Sequence, residues 1–198
     1  MKTEDYIKKH LENTISVKQL VIKHCLQSIK ESALAVFETY YKRGGAVFLF
    51  GNGGSATDAE HIAEELLNRY KNWRIPISAY ALTSAPAILT GIANDFGFDK
   101  IFSRQLEALA TPKDLVIGLS TSGNSPNVIE GIRLAKLRGI KTIGMTGRDG
   151  GELAKICDIA ICVPSDDVGL IQESHTSIGH IICVVCEEML FGERGFDE

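Results

Sequence analysis

The chain has 198 residues, 44% hydrophobic and 23% charged, with a net charge of -4. That length supports one domain with a full core, burying roughly 70% of its unfolded surface, and the composition is that of an ordinary soluble globular protein. The acidic balance argues against nucleic acid as a partner, and no apolar run reaches the roughly 18 residues a membrane span needs.

The first five residues, Met1 to Asp5, open a charged amphipathic pattern and not an apolar leader. Residues 4–42 read as helical. Ile7, Leu11 and Ile15 recur every fourth residue, and Leu20, Val21, Cys25 and Ile29 continue the stripe. A second short helical segment, 33–41, runs into Lys42-Arg43-Gly44-Gly45, a basic turn with a glycine stop. A stripe this long has no place inside a compact core, which points to packing against another copy of the chain.

From residue 46 short apolar runs alternate with helices. Strands are expected at 46–50, 77–82, 115–119, 141–145 and 159–163, and helices at 57–70, 85–91, 102–109, 126–138, 151–155 and 171–190. Continuous apolar strands linked by helices imply a parallel sheet covered on both faces. The expected fold is a three-layer αβα sandwich, flavodoxin-like, with five parallel strands: one domain over residues 1–198, its helical extension at 1–43 and its core at 44–190. Ligands of such folds sit at the carboxyl ends of the strands, where three polar segments fall: 51–55, 120–125 and 146–151.

Gly51-Asn52-Gly53-Gly54-Ser55 joins the first strand to a helix carrying His61 and Glu65. Glycines let backbone approach a ligand, and helix-start N–H groups attract an anion. His61 and Glu65, at i and i+4, share a face. Ser120-Thr121-Ser122-Gly123-Asn124-Ser125 ends at Pro126, so Ser125 is placed to cap a helix. Four hydroxyls in six residues favour a phosphate over a plain capped turn. Cys183-x-x-Cys186 lies inside an apolar helical pattern and reads as buried core and not a redox or zinc pair. The five cysteines, odd in number and in apolar surroundings, are expected as free thiols in a reducing cytoplasm. Asn94 and Asp95 fit either sugar hydroxyls or a polar turn before Gly97. His180, by pattern alone, is a core histidine.

These segments, in this order, resemble the SIS (sugar isomerase) domain family and, more closely, its phosphoheptose isomerases. The resemblance rests on 51–55, His61-x-x-x-Glu65 continuing to Arg69-Tyr70, Asn94-Asp95-Phe96-Gly97, Ile101-Phe102-Ser103-Arg104, 120–125, Thr146-Gly147-Arg148-Asp149-Gly150-Gly151, and Ile171-Gln172-Glu173 with His175 and His180. It implies interconversion of sedoheptulose 7-phosphate and D-glycero-D-manno-heptose 7-phosphate through an enediol, feeding the heptose of bacterial surface polysaccharides. It makes Glu65 and His180 the acid/base pair. It puts zinc on His61, Glu65, Gln172 and His180. Substrate would meet Asn52, Gly53, Gly54, Ser55, Arg69, Asn94, Asp95, Ser120, Thr121, Ser122, Ser125 and Gln172. It also implies homotetramers with sites at subunit interfaces.

The residue chemistry agrees with that reaction. A carboxylate can move a proton between C1 and C2, and an imidazole or metal can steady charge on oxygen. Spacing does not select Gln172: eight residues from His180, it is turned about 80° away on a helix. Gly169 and Leu170 stand where the heptose isomerases place an Asp and an Arg, with Asp166 and Asp167 just before them. Residues 165–170 are therefore where a different sugar phosphate would show. The rival class is a non-enzymatic SIS protein, a sugar-phosphate sensor or a partner of the replication initiator. Such relatives lack a histidine matching His180.

Overall fold

A computed structural model describes residues 2–191. In chain order it contains α1 (Thr3–Tyr41), β1 (Val47–Phe50), α2 (Gly54–Leu67), β2 (Ala79–Ala81), α3 (Pro86–Phe96), a 3-10 turn at Phe98–Lys100, α4 (Ser103–Leu109), β3 (Leu115–Ser120), α5 (Pro126–Leu137), β4 (Lys141–Gly147), α6 (Gly151–Ile156), β5 (Ile159–Val163) and α7 (Val168–Phe191). The strands form one parallel sheet in the order β2-β1-β3-β4-β5. The order is flavodoxin-like, and helices cover both faces, as expected of a three-layer αβα sandwich.

The sheet's alternation sets the two cores. Val47, Leu49, Leu115, Ile117, Leu119, Ile143 and Met145 face α1, α2 and α7. Phe48, Phe50 and Val116 face the other side, where α3 to α6 pack. Because β1 and β3 are buried on both faces, they read in sequence as nearly unbroken apolar runs. The chain leaves β1 toward one face, through α2, and leaves β3 toward the other, through α5. The crevice between the carboxyl ends of β1 and β3 is thus the topological switch point.

Four local outcomes differ from expectation. First, α1 does not break before Ala33. No Gly or Pro interrupts it, and the Ser32 hydroxyl folds back to the Ser28 carbonyl at 2.7 Å, spending its hydrogen bond inside the helix. Second, only the later half of the stripe is core: Val17, Val21, Cys25, Ile29, Ala33 and Val36 are buried, while Ile7, Leu11 and Ile15 are 54–59% exposed. Third, α2 starts at Gly54 and stops at Leu67, because Glu187 captures the N–H groups of Tyr70, Lys71 and Asn72. Fourth, α3 runs on to Phe96, so Asn94 and Asp95 lie in a last helical turn and not in a loop.

All five cysteines are free, and Cys25, Cys183 and Cys186 are buried. Burial pushes the Cys186 thiol up to about 12 and raises Cys183 as well, which leaves both as unreactive core.

Candidate active site

Two loops meet at the switch point. Asn52, after β1, and Asn127, in the first turn of α5, exchange two side-chain hydrogen bonds of 2.8 Å. The Asn127 side-chain carbonyl also accepts the Val128 N–H. This pairing fixes the two loops against each other. Sequence reading passed over Asn127, whose only signal was an amide placed just after Pro126. Beside it the serine hydroxyls converge: Ser120 Oγ lies 2.9 Å from Ser125 Oγ and 3.5 Å from Ser122 Oγ. Ser125 holds the N-cap position of α5, yet its hydroxyl does not cap the helix. It faces Ser120 instead. A set of hydroxyls turned toward one another beside a helix start is the arrangement a phosphate group would bridge. An open polar depression of about 720 Å³ adjoins this loop, lined by Ser122, Asn124, Arg148 and Ser165 among others.

Behind these loops α2 and α7 run side by side in the same direction. Gln172 lies against Gly54, Thr176 bonds Asp58, and Ile62 packs on Gly179. Two glycines permit this. A Cβ on Gly54 would come within 2.4 Å of Gln172 Nε2, and one on Gly179 within 2.4 Å of Ile62. The close approach at Gly179 puts the next residue, His180, beside the exposed edge of α2. There His61 Nε2 and His180 Nε2 are 2.8 Å apart, and Glu65 Oε1 lies 3.6 Å from the first and 3.9 Å from the second. All three side chains are partly buried, with one ligand atom of each within 4.8 Å of the others. Tyr70 stacks on the His180 ring, centroids 4.9 Å apart at 19°. Asp58, one turn before His61, is buried with Oδ1 accepting from Thr176 and Oδ2 unpartnered. Burial raises its carboxyl, with the Thr176 bond and the His61 charge acting the other way.

The remaining candidates are placed as follows. Gln172 is not brought to the His61/Glu65/His180 cluster within the chain. Its amide lies on Gly54, seven residues or about 10 Å down the helix axis from His61. Arg69 lies over the Trp73 ring at 4.5 Å. Asn94 and Asp95 are exposed on α3 and bond each other at 2.8 Å, on the far face of the sheet from α2 and α7. Gly53 is the N-cap of α2, and Ser55 is buried in its first turn. Thr121 gives its carbonyl to the Gly147 N–H. His175 is fully buried, its Nε2–H on the Thr146 carbonyl at 3.0 Å; burial lowers it to about 4, so it is neutral. Glu173 instead ties α7 to α1 through Thr14 and His10. Asp167 lies at the start of α7. Its Oδ1 accepts from Gly169 and Leu170 N–H and so caps α7.

The donor set fits a metal. Two imidazole nitrogens and a carboxylate oxygen are the N/O ligands zinc takes, and tetrahedral zinc with bonds of about 2.0–2.2 Å holds its ligands about 3.3–3.6 Å apart. The three separations straddle that range. Three such donors do not by themselves close a four-coordinate site, so at least one position is left to a group from outside this cluster.

A parallel sheet with its polar loops at the β1/β3 switch point, and a His/Glu/His cluster on the flanking helices, defines a doubly wound αβα protein with a ligand site at the carboxyl ends of its strands. The SIS domain profile matches residues 9–147. The chain is 45% identical to the phosphoheptose isomerase of Aneurinibacillus thermoaerophilus, covering 96% of each. It is 47% identical to that of Sulfurimonas denitrificans, covering 95% of this chain and 97% of the relative. The solved phosphoheptose isomerase of Neisseria gonorrhoeae superimposes with a TM-score of 0.89 at 35% identity, over 94% of this chain and all of that one. The chain therefore belongs to the SIS domain family and, within it, to the phosphoheptose isomerases.

Proposed function

We propose that the chain is the aldose–ketose isomerase that converts sedoheptulose 7-phosphate to D-glycero-D-manno-heptose 7-phosphate. The observation that carries this is the convergence of His61, Glu65 and His180 from two helices, in a chain whose near full-length relatives are named phosphoheptose isomerases. Ser120, Ser122 and Ser125 hold the phosphate, with Asn52, Gly53, Gly54, Ser55 and Thr121 completing the cradle. Arg69 and Gln172 are further substrate contacts, and Asn94 and Asp95, on the far face of the sheet in their own chain, would serve a substrate held by another copy. Glu65 takes the proton from the sugar carbon and returns it to the neighbouring one. His180 handles the proton on oxygen as the enediol forms and collapses. His61, Glu65 and His180 would hold zinc, which as a Lewis acid supplies stabilisation of the developing oxygen charge.

Gln172 supports a further part of the proposal. Its place beside Gly54 means that, as a fourth ligand, it serves the cluster of another copy. The active form is then a homo-oligomer, most simply a tetramer, with sites between subunits. Exposed Ile7, Leu11 and Ile15 on α1 give such an assembly an apolar surface. The functional unit extends past the profile match at residue 147, because α7 supplies His180; one domain spans the chain. Among the described residues no helix is long and apolar enough to cross a membrane. A cytoplasmic enzyme supplying heptose for lipopolysaccharide or other surface polysaccharide fits these features.

Incubating the protein with sedoheptulose 7-phosphate and following the aldose phosphate by NMR tests the reading. Turnover in the parent and its loss in His180→Ala are expected. Tight binding of the sugar phosphate with no turnover would favour the sensor instead.

A further inference from the structure

Among the described residues, and outside the groups that would touch substrate, the most heavily bonded side chain is Glu187. Its carboxylate accepts the backbone N–H groups of Tyr70, Lys71 and Asn72 at 2.7, 3.0 and 3.1 Å. It also pairs with Arg74 Nε at 2.8 Å, both side chains being fully buried. Arg74 in turn donates through Nη2 to the backbone carbonyl of Glu65 at 2.8 Å. Three consecutive N–H groups aimed at one carboxylate fix a turn, and of its two aromatic residues Trp73 is exposed while Tyr70 is directed to the site. Tyr70 lies nearly parallel to His180, 4.9 Å between centroids. His61 meets the same imidazole edge-on, at 5.0 Å and 74°. One face of His180 is thereby covered and its rotation about χ2 restricted, which holds Nε2 toward His61 and Glu65.

We propose that Tyr70 is a positioning residue that sets the plane of the His180 imidazole, and that Glu187 acts on the site by anchoring the turn that carries Tyr70. Neither residue touches the reacting atoms. The ring, not the phenol oxygen, does the positioning, so phenylalanine replaces tyrosine and alanine does not. The inference rests on the reading of His180 as a reacting and metal-holding group, and its test has one arm that does not use activity. A reacting group displaced by about 1 Å can lose up to about 10²-fold in rate, with the phosphate site elsewhere in the fold.

The test compares Tyr70→Phe, Tyr70→Ala and Glu187→Asp in the full chain. In the first arm, histidine ring protons are recorded by NMR, His180 being assigned by its loss in His180→Ala. An upfield ring-current displacement is expected in the parent and in Tyr70→Phe, and an ordinary position in Tyr70→Ala. In the second arm, isomerase kinetics should show kcat lowered at least about tenfold in Tyr70→Ala, with KM within about twofold and Tyr70→Phe near the parent. Glu187→Asp should lower kcat selectively, and adding it to Tyr70→Ala should cost little more, because both act through one ring. No ring-current displacement in the parent overturns the inference whatever the activity. Parental kcat in Tyr70→Ala overturns it too, as does full additivity of the two changes. A displaced signal in a parent that does not turn over the sugar phosphate would instead sink the isomerase reading and with it the role assigned to Tyr70. If Glu187→Asp does not fold, the Tyr70 pair alone decides.

Discussion

His61 and His180 stand 119 residues apart in sequence and hold their Nε2 atoms 2.8 Å from each other. Two imidazoles cannot both present N–H at that distance; one must accept, or both must turn lone pairs to a shared cation. Glu65 beside them favours the cation. About one zinc per chain is expected in protein purified without chelator, and His61→Ala should lose it. Elemental analysis decides. If stripped protein keeps full activity, His180 works as an acid/base group alone and the metal is dispensable.

Glu65→Gln keeps the size of the side chain and its hydrogen bonding but removes the base. A loss of about 10²–10⁴-fold in kcat is expected, and His180→Ala should cost at least as much. Neither variant should lose phosphate affinity, since the serine loop is elsewhere. Solvent deuterium should enter the sugar in the parent at the carbon that exchanges its proton. Near-parental turnover by both variants would end the mechanism.

Replacing Ser120, Ser122 and Ser125 together by alanine should raise KM for the sugar phosphate far more than it lowers kcat. Each lost hydrogen bond to a charged oxygen is worth about 1.5–3 kcal/mol. The three hydroxyls bond one another in the free protein, so the fold should survive. Calorimetric titration of the variant with the substrate is the check. Unchanged affinity would move the phosphate to another loop.

The sheet was legible because its central strands β1 and β3 are buried at every position and so read as plain apolar runs. The α2 face was legible too: His61 and Glu65 sit at i and i+4. What joined His180 to them was not. That depends on Gly179 letting α7 lie against Ile62, a contact between residues 117 positions apart that leaves no local pattern. The same holds for the end of α2, which is set by Glu187 reaching back across the fold. Helix α1 runs through Ala33 without a break, where a second short segment was expected. Its exposed first half could not be told from core by periodicity, since an apolar stripe has the same spacing whichever chain covers it.

Glu187 also makes a stability prediction. Burial alone would raise its carboxyl, but the Tyr70, Lys71 and Asn72 N–H groups and Arg74 outweigh this and hold it below its ordinary value. A depressed folded value means the stabilisation is fully present above the unfolded value, about 4.3, and fades as pH falls through the folded one. Glu187→Gln leaves Arg74 buried without its partner and should cost about 3–5 kcal/mol at pH 7. Urea unfolding of parent and variant should show that difference shrinking as pH falls below about 4.3, the ordinary glutamate value. A difference independent of pH would show that the carboxylate's charge is not what matters.

The position of Gln172 gives the sharpest test of assembly. Within one chain its amide rests on Gly54, so a Gln172 that completes the His61/Glu65/His180 cluster belongs to a neighbouring subunit. Gln172→Ala and His180→Ala chains should each be nearly inactive as pure oligomers. Mixed by co-unfolding and refolding, they should regain activity. In a symmetric pair made of one of each, one site carries both defects and the other carries none. Random pairing then restores about one quarter of the parent's sites. Light scattering should meanwhile give an oligomer, with the apolar faces of Ile7, Leu11 and Ile15 covered, and Leu11→Glu should weaken it. If the site were complete within one chain, every mixed oligomer would hold only defective sites and no activity would return. A monomer in light scattering would refute the shared site directly.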